Sequence, residues 1–78
     1  MIKKQNKLVI TFKTTTMAMA MESACKQAGA PGRLIPVPKS ISAGCGMAWC
    51  AKPEEQQMIC QLMEEKGITY QEIHVCMI

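Results

Sequence analysis

The segment Gly32–Lys52, "GRLIPVPKSISAGCGMAWCAK", decides the fold. It holds two short apolar runs with no helical pattern between them. Arg33–Pro38 is strand-like but contains Pro36 and Pro38. Proline cannot donate to a ladder, which places this strand at a sheet edge or keeps it short. Met47–Lys52 reads as the next strand, with Met47, Trp49 and Ala51 on one side and Ala48 and Cys50 on the other. The intervening "KSISAGCG" (Lys39–Gly46) is a connecting loop. Two strands therefore follow one another directly in the middle of the chain.

Working outward, each strand of this pair is flanked by a helix. On the N-terminal side, three threonines (Thr14–Thr16), any of which can cap, open a helix over Thr16–Ala28. Its apolar stripe is Met17, Ala20, Met21, Ala24, Cys25 and Ala28. Gly29 stops it and Pro31 follows. On the C-terminal side, Pro53 suits a first helical position, Glu54 and Glu55 suit the positive end, and Gly67 closes the helix. The stripe here is Met58, Ile59, Leu62 and Met63. The outermost elements are strands. Lys7–Phe12 alternates, with Leu8, Ile10 and Phe12 against Lys7, Val9 and Thr11. Ile68–Ile78 closes the chain, with Ile73, Val75 and Met77 against Glu72, His74 and Cys76.

The order β-α-β-β-α-β predicts an α+β fold, the ferredoxin-like two-layer sandwich: a four-stranded antiparallel sheet with both helices on one face. The proline-bearing second strand suits the edge position which that topology gives it. The 78 residues form one domain, with a flexible basic end over residues 1–6. The chain is 49% apolar but only 4% aromatic, so the core is built from Met, Leu, Ile, Val, Ala and Cys.

Composition narrows the function classes. The net charge is +3, and three of the nine basic residues (Lys3, Lys4, Lys7) lie in the first seven positions, a solvated end rather than a nucleic-acid face. The three aromatics are scattered and do not make the stacking platform of an RNA-binding sheet, so no nucleic-acid partner is expected. No run reaches the ~20 apolar residues of a membrane span. The apolar run after the basic start is shorter than the ~7–15 residues of a signal-peptide core. Five cysteines, an odd number without framework spacing, point to free thiols in a reducing cytoplasm.

Cys45, set between Gly44 and Gly46, is the residue that invites chemistry. The thiolate is the reactive form of cysteine. Flanking glycines remove side chains and permit positive φ, so backbone N–H groups can converge on an anion. Arg33 and Lys39, on the same hairpin, can add positive charge. Equally, the two glycines can simply shape a turn. Cys50 lies five positions on. It is either a second thiol acting with Cys45 or a sheet-face cysteine, and the odd offset favours opposite faces in an extended chain. Cys25 falls in the apolar stripe of the first helix, Cys60 at the margin of the second, and Cys76 on the strand face shared by His74 and Glu72. No C-x-x-C or other metal-ligand spacing occurs and no phosphate-binding glycine motif, so neither metal nor cofactor is expected.

The chain resembles the small selenium/sulfur carrier-like family of bacterial proteins. "GRLIPVPKSISAGCGMAW", preceded by "TFKTTTMAMAMESACKQAG", carries the resemblance, and its specific part is Gly32, Pro36, Pro38, Ser42, Gly44, Cys45 and Gly46. The resemblance implies that Cys45 holds sulfur or selenium as a persulfide or selenosulfide. It implies a donor such as a cysteine desulfurase and an acceptor protein. The chain would then be a covalent shuttle and not an enzyme turning over a small molecule. Cys50, Cys60 and Cys76 fall outside the pattern. The competing reading is a binding or regulatory module that uses the open sheet face, as a homodimer or with a partner. Trp49, Cys50 and Cys76 would then line the interface, and Cys45 would be a turn residue.

Overall fold

The structure is a computed structural model and describes residues 6–38, 41 and 46–77. The strands are β1 (Asn6–Thr11), β2 (Arg33–Pro36), β3 (Met47–Ala51) and β4 (Glu72–Met77); the helices are α1 (Thr15–Ala28) and α2 (Gln56–Lys66). A single 3-10 turn, Pro53–Glu55, leads into α2. All pairings are antiparallel and the sheet order is β2-β3-β1-β4. This is the ferredoxin-like sandwich that the element order predicts. β2 occupies an edge, where Pro36 is tolerated.

Local chemistry sets the element ends. Thr14 is the threonine that caps α1: its Oγ1 accepts from the Met17 N–H at 3.2 Å. Both helices finish in the same way. Gly29 and Gly67 adopt left-handed φ values of 69° and 68°. The next residue then donates back to the helix, Ala30 to the Cys25 carbonyl and Ile68 to the Met63 carbonyl. This closure corrects the expected start of the last strand. Ile68 turns into the core as part of the α2 cap, and pairing begins only at Glu72. Thr11 fixes that start from the other side. Its carbonyl accepts from the Gln71 N–H at 2.7 Å, and its Oγ1 accepts from the Glu72 N–H at 3.1 Å.

The core lies between the helices and one face of the sheet. Leu8, Ile10, Phe12, Trp49 and Ala51 face Met21, Cys25, Ile59 and Met63. The stripes differ slightly from expectation. Ala18 is buried and Ala28 exposed on α1, and Met58 is half exposed on α2. On the helix-free face the register sets Ile35–Ala48–Thr11–Glu72 in one row and Arg33–Cys50–Val9–His74 in the next. The centre of this face is also closed to water: Val9, Thr11 and Ala48 have no exposed surface. Among the described residues no helix is long and apolar enough to cross a membrane.

Candidate functional site

The β2–β3 hairpin carries the described part of the motif singled out in the sequence: Gly32, Arg33, Pro36, Pro38 and Gly46. Its ladder runs one step past the Pro36–Met47 pair, because the Val37 N–H donates to the Gly46 carbonyl at 3.0 Å. Beyond it the Ile41 N–H donates to the Pro38 carbonyl at 2.9 Å. Gly46 has φ 76°, a left-handed value that an L side chain adopts at a cost, and a Cβ added there would meet nothing within 4 Å. Gly46 thus closes the hairpin connection with a backbone only glycine enters freely, and none of the described residues crowds the place a Cβ would take. Lys39, Ser42, Gly44 and Cys45 itself lie outside the described residues.

Arg33, expected to support the loop, sits at the opposite end of β2. It pairs with Cys50, and four residues of extended chain, roughly 13 Å, separate it from Val37. Its charge belongs to the surroundings of Cys50. Cys50 is a sheet-face residue, buried on the helix-free side between Arg33 and Val9. Trp49 points the other way, into the core beneath the helices, so it does not share a face with Cys50 and Cys76. Its Nε1 donates to the Pro31 carbonyl at 3.3 Å.

Gly32 is the part of the motif whose role is purely structural. At φ 115° it lies against the indole. A Cβ there would come within 2.7 Å of the Cys50 carbonyl and 2.9 Å of Trp49 Cε2, and would collide with Trp49 Nε1. The sequence marks Gly32 only by its place in the family pattern, since nothing local reveals that Trp49 covers it.

The remaining thiols divide by burial. Cys25 is buried in the core, and loss of hydration pushes its pKa up, so it stays a neutral thiol. Cys60 and Cys76 are half-buried. Cys76 shares the helix-free face with Glu72 and His74, whose side chains meet at 3.1 Å. Among the described residues no three His, Cys, Asp or Glu side chains converge as metal ligands.

One feature of the helix-free face goes beyond the sequence reading. A recess of about 400 Å³ opens beside Cys50, and its rim carries Lys7, Arg33 and Lys52. These three stand far apart in sequence, and only the cross-strand register brings them together.

No curated protein and no solved structure matches the chain. A protein-family model, described as "Putative Se/S carrier protein-like", matches residues 7–75, from the first strand through the Cys45 loop to the middle of the last. Match and fold together span nearly the whole domain, and the chain belongs to this selenium/sulfur carrier-like family.

Proposed function

We propose that the protein carries sulfur or selenium covalently on Cys45 and passes it between partner proteins. The observation behind this reading is the glycine that follows Cys45. Gly46 closes the hairpin connection at φ 76° with none of the described residues crowding the place a Cβ would take, inside a domain matched almost end to end by a carrier-family model. The other thiols support the assignment by their positions: Cys25 and Cys50 are buried, and Cys60 and Cys76 half-buried.

In the transfer step the Cys45 thiolate attacks the terminal sulfur of a donor persulfide, such as one held by a cysteine desulfurase. The donor S–S bond breaks, a new S–S bond forms on Cys45, and the donor cysteine leaves as a thiolate. An acceptor thiolate repeats the exchange and regenerates Cys45. The sulfur moves at constant oxidation state, so no external oxidant or reductant enters. Selenium follows the same course through a selenosulfide. Ser42 and Gly44 are neighbours of Cys45 in the motif, and Lys39 is the cation nearest to it in sequence.

The reading requires Cys45 to be the most reactive thiol. Alkylation with iodoacetamide, mapped by peptide mass spectrometry, should modify Cys45 first. Cys25 should be modified last. If Cys45 reacts no faster than Cys60 or Cys76, it is a turn residue and the proposal fails.

A further inference from the structure

We propose that the recess beside Cys50 is a binding site for a small phosphate-type dianion. It lies at the end of the sheet where Lys7, Arg33 and Lys52 come together, opposite the end that carries Val37 and Gly46. Leu8 pairs with Ala51, so Lys7 and Lys52 sit side by side at that end, and Arg33 joins them through its pairing with Cys50. Three elements thus contribute one cation each to a single concavity of about 400 Å³, within the range of small-ligand pockets.

Among the described residues none of these three cations is held in an ion pair. The only ion pair among the described residues is Glu72–His74, on the other edge strand. Glu55 is the one acid lining the recess, and its Oε1 is already engaged, accepting from the Lys52 backbone N–H at 2.9 Å. Three cations against one carboxylate leave the recess with a net positive charge, and a dianion offsets that charge while gaining charge-assisted hydrogen bonds, with Arg33 able to bind two oxygens at once. Pro31, Gly32 and Ala51 add a small apolar wall suited to a compact organic body attached to the anionic head. A long polyanion fits less well, because the same sheet face carries Glu72 along β4. This site does not depend on Cys45 carrying a chalcogen, so the two readings stand or fall separately.

Cys50 lines the recess and serves as an internal reporter. The test is calorimetric titration of the full chain with inorganic phosphate and with phenyl phosphate, alongside the rate of Cys50 alkylation by neutral iodoacetamide. Phenyl phosphate should bind and slow alkylation of Cys50 without affecting Cys60. Arg33→Gln and Lys52→Gln, both at exposed positions, should each weaken binding by about tenfold, the scale of one charge-assisted contact. Lys13→Gln, on an exposed cation away from the recess, should leave binding unchanged. Binding of phosphate and ester alike identifies the anionic head as the recognised group, and binding of the ester alone adds the apolar wall. The proposal is overturned if neither ligand binds, if binding survives both Arg33→Gln and Lys52→Gln, or if Lys13→Gln weakens it as much as they do.

Discussion

Gly32 precedes β2 and Gly46 precedes β3, they belong to the same motif, and both have positive φ, yet they do different work. Gly32 is pressed against Trp49 and the Cys50 backbone, with no room for a methyl group. Gly46 has room for one, and only its backbone conformation argues for glycine. Gly32 holds β2 and β3 against the core. Gly46 closes the hairpin connection at its β3 end, next to Cys45 in the sequence. A glycine in a motif can thus mark packing or presentation, and the space around it separates the two.

The comparison predicts unequal costs. Gly32→Ala should be the most damaging single change, because the new methyl meets backbone and a buried ring at an unfavourable φ. Overpacking and the left-handed penalty together amount to roughly 3 kcal/mol or more, enough to threaten folding of so small a domain. Urea unfolding followed by Trp49 fluorescence measures it, and a near-neutral effect would show that the indole can step aside.

Gly46→Ala should cost less, about 1–2 kcal/mol from the left-handed backbone alone, with the fold intact. It sharpens the comparison because its main effect should fall on Cys45: a slower alkylation rate with unchanged reactivity at Cys60 and Cys76. Equal losses of stability from the two substitutions would erase the distinction between packing and presentation.

Much of the architecture is legible in the sequence because it rests on local signals. The alternation of β1, the threonine cap of α1, Pro53 before α2, and the glycines ending both helices all act within a few residues of where they stand. The prolines of β2 even indicate its place at the sheet edge. What is misread depends on distant contacts. Ile68-Thr69-Tyr70 has strand composition, yet Ile68 is drawn into the core by the α2 cap, and β4 begins four residues later. The pairing of Arg33 with Cys50 comes from the ladder and has no local signal. The recess on the helix-free face is invisible in sequence for the same reason, since Lys7, Arg33 and Lys52 meet only once three strands are in register. Cys45 itself is conspicuous in the sequence through its flanking glycines, whereas the packing role of Gly32 emerges only from the position of Trp49.

The most direct test of the carrier role is intact-mass analysis after incubation with a cysteine desulfurase and cysteine, followed by peptide mapping, for the wild-type chain and Cys45→Ser. A gain of one sulfur, ~32 Da, on the Cys45 peptide of the wild type and its loss in a folded Cys45→Ser variant is the predicted result. An adduct that persists in Cys45→Ser, or no adduct on the wild type, would contradict it.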